Sequence, residues 1–416
     1  APGTPFGGEA IIGDDQEPPT LNPYSLGGDS YSVARISRAW TCGTQEINGE
    51  TRELVPDLVV ELPTVANGGL LLNEDGTLTV HYQIRPEAVW EDGTPVSGHD
   101  YEFTYRTIMD PANGIGREYY EDIIPESLVA GEKTFEFTLG TPSLAVENLF
   151  GLILPEHQLA GTDFATGYDE TGWLSCGPFR IDSWTRGESL RLVRNENYWK
   201  TDPETGRQLP YLDALAIRFY PDAAALLAAF RAHEIDVMAP PAEDLEDFEV
   251  LQELEAEGAV VEVVPGPIWE QLAFQFGENR LVRNAGSYTT HLNFRRAVAH
   301  AIDRELIVEA VVGDLVEPMS SYVDAFSPGR SSSAWAQYDY NPARAREYLA
   351  ALCAEEGVDC TATPPTAVFT TTFNAPARLL LSQVLIELFA DVGIGYQAEL
   401  EDSVLFFGET LDLGTW

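Results

Sequence analysis

The sequence has few basic residues. Against 67 acidic residues it carries only 24 basic ones, among which Lys133 and Lys200 are the only lysines, and the formal net charge is −43. Nucleic acids are bound through clusters of cationic side chains, so this composition excludes a nucleic-acid partner. The acidic residues are spread along the chain, which is typical of a solvated surface rather than of a metal site. Self-repulsion of this size opposes folding, so we expect stability to rise with added salt.

Long apolar runs and catalytic motifs are also missing. No uninterrupted run of 18 or more apolar residues occurs, so the sequence predicts no membrane-spanning helix. The patterns G-x-S-x-G, H-E-x-x-H and G-x-x-x-x-G-K are absent as well. These absences mark no catalytic constellation, and we expect neither a cofactor nor a metal. A secreted hydrolase stays open as an alternative, because no particular pair can be picked out among so many carboxylates.

The four cysteines form no C-x-x-C pair, and no histidine stands at metal-ligand spacing from them. A helix predicted to end at Gly357 has Cys353 in its last turn and Cys360 just beyond it, so a disulfide there would close a loop of about eight residues. Cys42 and Cys176 would then pair by elimination. Disulfides are typical of exported proteins. Free buried thiols remain the alternative for each pair.

The chain is long and sufficiently apolar to fold into more than one domain. Its 416 residues are 44% hydrophobic and 11% aromatic. Single hydrophobic cores rarely grow to this size, so two or three domains are expected.

The most specific stretch lies between Trp173 and Met238. It contains, in order, GPFRI at 177–181, RNENYW at 194–199, PYLDAL at 210–215 and EIDV at 234–237. The Gly-Pro pair and a turn at 186–188 predict two antiparallel strands, and Asp222 is positioned to begin a helix over 223–232.

This ordered series resembles the family 5 extracellular solute-binding proteins, the dipeptide- and oligopeptide-binding components of ABC importers. Two further motifs carry the resemblance, WEDGTPVSGHD at 90–100 and FRRAVAHAIDR at 294–304. Any one of these motifs is common in turns and cores, whereas the whole series in order is specific. The chain departs from the family pattern at Asn22, where an aspartate is usual. It also ends early, and we expect it to be shortened at its C-terminus.

The resemblance implies a periplasmic-binding-protein-like α/β fold with two lobes, a hinge and a ligand cleft between the lobes. Lobe 1 would cover residues 1–262, including an α+β sub-lobe at about 45–170, and lobe 2 residues 263–416 without the family's C-terminal return to lobe 1. The function implied is an extracytoplasmic receptor that closes on a small organic solute and delivers it to permease subunits in the membrane. A di- or oligopeptide is favoured, and an oligosaccharide or a metal chelate is the alternative.

The same resemblance implies an exported monomer, periplasmic or tethered at the outer face of the cell membrane. The chain opens at Ala1 without a charged and apolar leader, which predicts that an export signal or anchor has been removed.

Nine residues are expected by resemblance to line the cleft, and their aromatic members suit stacking on a flat or ring-bearing solute, although each could equally be a core residue. They are Glu17, Tyr24, Trp40, Thr41, Trp269, Gln271, Phe373, Asn374 and Trp416. Glu17 is the loop acid predicted to bind the amino group of a peptide. A polyanionic solute is disfavoured because the field of the chain would repel it.

Two secondary-structure expectations concern the second half of the chain. Alternating apolar residues predict a strand at 271–276. The apolar stripe of the helix at 293–302 is expected to form core and to leave His300 at the surface.

Overall fold

The computed structural model describes residues 6–25, 27–28, 30–49, 51, 53–238, 249–262, 270–276, 288–313, 316–319, 321, 335–373, 375–402, 405–411 and 414. The chain divides into two compact units, Ala1–Ala239 and Pro240–Trp416. The lobe boundary predicted between residues 262 and 263 lies next to residues outside the described ranges and stays a prediction.

Unit 1 contains a mixed five-stranded sheet and a separate antiparallel sheet of four strands. Its strands are β1 (Glu9–Asp14), β2 (Gln45–Ile47), β3 (Leu54–Pro56), β4 (Leu70–Leu72), β5 (Leu78–Gln83), β6 (Val129–Ala130), β7 (Thr134–Leu139), β8 (Phe179–Thr185), β9 (Ser189–Arg194), β10 (Ala214–Phe219) and β11 (Val237–Met238). The first sheet has the order β11-β1-β10-β9-β8, in which β11, β1 and β10 are parallel. The second has the order β4-β5-β7-β6, and β2 pairs with β3 as a hairpin.

The helices of unit 1 are α1 (Tyr31–Ser37), α2 (Gly98–Met109), α3 (Glu156–Leu159), α4 (Phe164–Gly167) and α5 (Ala223–Arg231). Local side chains fix where they begin. The Asp100 carboxylate accepts a 2.8 Å hydrogen bond from the Ser97 N–H at the start of α2, and Asp222 accepts one of 2.7 Å from the Ala225 N–H at the start of α5. The helix α5 confirms the predicted helix after Asp222. The antiparallel pairing of β8 with β9 confirms the predicted hairpin.

Three apolar clusters form in unit 1, one on the four-stranded sheet of the sub-lobe and one on each face of the five-stranded sheet. The sub-lobe sheet packs aromatic side chains together, including Tyr82, Tyr101, Phe135, Phe137 and Phe150. The five-stranded sheet packs against α1 through a cluster that includes Trp40, Trp173, Phe179, Leu190 and Leu192. On its other face α5 covers β1 and β11 with Leu226 and Ala229.

Both predicted disulfides are present. Cys42 bonds Cys176 with the Cα atoms 5.5 Å apart, and Cys353 bonds Cys360 with the Cα atoms 5.9 Å apart. The first disulfide joins the chain just before the sub-lobe to the chain just before β8, so it closes the base of the sub-lobe.

The helices of unit 2 are α6 (Glu249–Glu257), α7 (Leu292–Ala301), α8 (Arg304–Val312), α9 (Pro342–Glu356) and α10 (Pro376–Val392), and its strands β12 (Thr366–Thr372) and β13 (Gly395–Glu401) are parallel. A π-helix spans Phe406–Thr410. The core joins α7, α9 and α10 through residues such as Phe294, Leu349 and Phe389. Within the described residues, no helix has both the length and the apolar composition needed to cross a membrane.

Two predictions for unit 2 are wrong. His300 is 1% exposed rather than at the surface, because its ring stacks on Tyr348 of α9 with centroids 5.7 Å apart and its Nδ1 lies 2.8 Å from the Asp339 carbonyl oxygen. Residues 270–276 form no strand. Leu272 and Phe274 do pack on the helical core, so the alternation marks a buried face without a hydrogen-bonded ladder.

Candidate functional site

In unit 1 the candidate site is the carboxyl edge of the parallel strands. Ligands of open α/β sheets bind outside the carboxyl ends of the strands. Asp14 ends β1 opposite Phe219 of β10, and the preceding Gly13 lies opposite Met238 of β11. Residues 15–24 form the loop that follows. We call this edge and its loop the β1 edge.

Short hydrogen bonds hold the loop of the β1 edge in shape. The Thr20 Oγ1 accepts a 2.9 Å hydrogen bond from the Asn22 N–H, and the buried Asn22 Oδ1 accepts one of 2.9 Å from the Tyr24 N–H. Asparagine can therefore replace the family's aspartate, because the turn uses only one side-chain acceptor. Its Nδ2 has no hydrogen-bond partner among the described residues.

Glu17 points to the turn between β8 and β9. Its carboxylate accepts hydrogen bonds from the Trp184 Nε1 at 3.0 Å and from the Gly187 N–H at 3.0 Å. The neighbouring Arg186 also donates to the Pro18 carbonyl at 2.9 Å. These contacts fix the loop on the sheet, so the carboxylate nominated for the ligand is already bound within unit 1.

Asp15 is the acid of this edge that the sequence analysis missed. Asp14 is buried and pairs with Arg35 of α1, whereas the Oδ1 of Asp15 is buried and lacks a hydrogen-bond partner in the described part of the chain. Burial, followed by the charges of Asp14 and Asp222, raises the pKa of Asp15. A nearby cation would stabilise the ionised form of such a carboxylate. The available signal in the sequence was its position directly after the apolar residues of β1.

The three remaining unit 1 candidates lie within the protein core or at its margin. The Tyr24 hydroxyl donates to the Leu152 carbonyl at 3.0 Å, and burial raises its pKa well above the ordinary value. Trp40 is 1% exposed and packs edge-on against Trp173 at 5.0 Å. The Thr41 hydroxyl donates to the Ser37 carbonyl at 2.8 Å. These contacts give all three a structural role.

In unit 2 the corresponding edge lies at the carboxyl ends of β12 and β13. Phe373 directly follows β12, and its side chain is 50% exposed. The Arg378 guanidinium donates to the Thr372 hydroxyl at 2.9 Å and to the Glu270 carboxylate at 2.5 Å. It thereby links Glu270, which precedes the exposed Gln271, to the end of β12, which Phe373 follows. We call this the β12 edge.

Three predicted residues, Trp269, Asn374 and Trp416, lie outside the described residues. No group of three or more histidine, cysteine or acidic side chains in the described ranges is arranged to hold a metal ion.

Comparison with solved structures defines the fold class. An oligopeptide-binding protein from Thermus thermophilus, complexed with a pentapeptide, has a TM-score of 0.72 and 20% identity, covering 96% of this chain and 73% of that one. NikZ from Campylobacter jejuni, in complex with Ni(L-His), has a TM-score of 0.68 and 19% identity, covering 95% and 74%. The fold is that of the two-lobed periplasmic binding proteins, which confirms the predicted α/β class.

The sequence defines the family. The family described as bacterial extracellular solute-binding proteins, family 5 middle, matches residues 53–412, and the chain belongs to it. A Brucella ovis relative, named as an ABC transporter peptide-binding protein, is 26% identical over 357 residues, which are 80% of this chain. The chain spans 61% of the length of that relative.

Proposed function

We propose that the protein is an extracytoplasmic receptor of an ABC importer that binds a di- or oligopeptide and delivers it to membrane permease subunits. The observation that carries the proposal is membership of the solute-binding family over residues 53–412. A peptide is favoured because the Brucella ovis relative is named for peptide binding and the Thermus protein was solved with a pentapeptide. We further propose that it acts as an exported monomer and catalyses no reaction.

The proposed mechanism is ligand-driven closure of a hinge between lobes at residues 1–262 and 263–416. A solute that contacts both lobes has a higher affinity for the closed arrangement and shifts the equilibrium toward it. The permease would then recognise the closed form.

The residue roles follow from the two edges. Asp15 at the β1 edge is the acid proposed to meet a cationic group, while Glu17 positions the loop that carries it. At the β12 edge, Phe373 supplies an exposed ring and Gln271 an amide. Trp269, Asn374 and Trp416 remain proposed contacts from the family resemblance. Tyr24, Trp40 and Thr41 are assigned a scaffold role because their side chains are held by contacts within unit 1.

A metal chelate is the second candidate for the ligand, because NikZ, which has the same fold, was solved with Ni(L-His). Native mass spectrometry of the purified protein would detect a co-purified solute. Calorimetry should then give binding heat with dipeptides or oligopeptides and none with an oligosaccharide or nickel–histidine. Binding of nickel–histidine alone would replace the peptide proposal. Cleavage of any peptide or glycoside during the titration, followed by mass spectrometry, would contradict a non-catalytic role.

The β12 edge can be tested by substitution. Phe373→Ala should weaken peptide binding by about 1–3 kcal/mol if the ring stacks on the ligand. The control is Tyr340→Ala, an aromatic side chain of comparable exposure just before α9. Equal affinities for the two variants and the unaltered protein would move the site away from Phe373.

A further inference from the structure

The ammonium groups of the two lysines in unit 1 both bind oxygen atoms of the protein itself. Lys200 Nζ lies 2.7 Å from the Asp57 carboxylate and 2.8 Å from the Glu46 carboxylate. Lys133 Nζ donates to two main-chain carbonyls at 3.0 and 2.8 Å. Neither ammonium group is therefore directed at a solute.

Most described arginines likewise bind oxygen atoms of the protein. Those that form an ion pair with a carboxylate are Arg35, Arg85, Arg106, Arg186, Arg191, Arg194, Arg344, Arg346 and Arg378. Arg218, Arg295 and Arg304 donate instead to main-chain carbonyls. Because the protein's own oxygens occupy these cations, the described residues provide few guanidinium groups to bind an anionic solute.

The carboxylates are in large excess over these cations. With 67 acidic and 24 basic residues, pairing every cation still leaves a net charge of −43. A charge of this size produces a potential that extends about one Debye length from the surface, which is about 10 Å at 0.1 M salt and about 3 Å at 1 M. An approaching solute meets this potential before it meets any particular side chain.

We propose that this receptor selects cationic and neutral solutes over anionic ones, and that the selection occurs during approach through the field of the whole protein. The inference rests on the proposed function and adds the charge class of its ligand. Selection by a field changes the association rate and disappears with salt, whereas selection by one contact changes the dissociation rate and persists in salt.

Three tripeptides that differ only in the central residue provide the test: Ala-Arg-Ala, Ala-Gln-Ala and Ala-Glu-Ala. At 0.1 M sodium chloride, stopped-flow association should be about tenfold or more faster for the arginine peptide than for the glutamate peptide. At 1 M the difference should fall below about threefold. Equal association rates at 0.1 M, or a difference that persists at 1 M, would overturn the proposal. Circular dichroism at both salt concentrations verifies that the protein is folded.

Charge variants separate the field from local contacts. Replacing the exposed Glu74, Glu118, Glu121, Glu126 and Glu132 by glutamine changes the net charge from −43 to −38. If the field scales with the net charge, the ratio of association rates should then fall by about 1.3-fold at 0.1 M salt. Replacing the same five residues by aspartate keeps the charge and should leave the ratio unchanged. An equal loss in both sets would contradict a field effect.

A second measurement does not need peptide binding. Quenching of tryptophan fluorescence is measured with caesium and with iodide, and each quenching constant for the protein is divided by the constant of the same ion for free N-acetyltryptophanamide. At 0.1 M salt this ratio should be larger for caesium than for iodide, and the two ratios should converge at 1 M. If none of the three peptides binds, the peptide receptor proposal is wrong, and the quenching constants still decide whether the field discriminates by charge. A ratio that is equal for the two ions, or larger for iodide, at 0.1 M salt would overturn the inference.

Discussion

Units 1 and 2 use polar and covalent links differently. In unit 1 the side chains of Lys200 and Asp57 are 18% and 9% exposed and join segments far apart in the sequence, while the disulfide spans a separation of 134 residues. In unit 2 the side chains of Arg346 and Asp391 are 50% and 58% exposed, and the disulfide spans a separation of 7 residues. Unit 1 is held together across long chain distances, whereas unit 2 relies on the apolar faces of its helices.

The topology explains the difference. The strands of the sub-lobe, β2 to β7, lie between α1 and β8 in the sequence. The two chain segments at the base of the sub-lobe are therefore far apart in the sequence, and links between distant residues hold them together. In unit 2, α7, α9 and α10 share one apolar cluster, which supplies cohesion. Its ion pair between the distant residues Arg378 and Glu270 leaves the Glu270 side chain 57% exposed.

The largest effect should come from the disulfides. Replacing both Cys42 and Cys176 by serine should lower the free energy of unfolding by about 5 kcal/mol in the chain-entropy model, because the closed loop is long. The equivalent change at Cys353 and Cys360 should cost about 2–3 kcal/mol, because that loop is short. Urea unfolding of the two double variants measures both values. A larger cost for the unit 2 pair would reverse the comparison.

The second largest effect on stability should come from the ion pairs. Lys200→Met leaves the buried Asp57 without its cation and should cost about 3–5 kcal/mol. The solvent-exposed pair in unit 2 is the control, and Arg346→Met should cost less than about 1 kcal/mol. Adding Asp57→Asn to Lys200→Met should recover part of the loss in thermal unfolding. Equal costs for Lys200→Met and Arg346→Met would show that burial does not distinguish the pairs.

The smallest effect concerns two aspartates at turns. The Tyr211 hydroxyl and the N–H groups of Glu204 and Thr205 lower the pKa of Asp202 from 3.8 to about 2. Because the folded-state pKa is lowered, the carboxylate stabilises the fold above about pH 4, and this contribution is lost as the pH falls from about 4 to 2. The melting temperature of Asp202→Asn should lie below that of the unaltered protein at pH 6, and the gap should close by pH 2.

Asp359 of unit 2 provides the matched variant. Its pKa is lowered by the hydroxyl and N–H of Thr361 and by the N–H of Ala362, all within its own turn. Asp359→Asn should therefore show the same pH dependence with a smaller gap, since no distant residue shares the carboxylate. A gap that widens below pH 4 in either variant would contradict the assignment.

Local signals in the sequence predicted much of this fold. The helix α5 begins at its predicted capping residue Asp222, whose carboxylate accepts from the Ala225 N–H at 2.7 Å. The helix α9 ends at its predicted stop, Gly357, which adopts a φ of 68°. Caps and turns act within a few residues, so a single sequence displays them. The positions of the cysteines predicted both disulfides, and the ordered series of motifs predicted the family.

Contacts between distant residues decided the rest. Glu17 is engaged by Trp184 and Gly187, which lie more than 160 positions away in the sequence, so its neighbour Asp15 became the better candidate for a ligand. His300 is buried because α9 covers it, although its place on the helix predicted the surface. Sequence periodicity identifies which side of an element is apolar. Only the packing of elements determines which polar groups find partners within the protein, because those partners come from other parts of the chain.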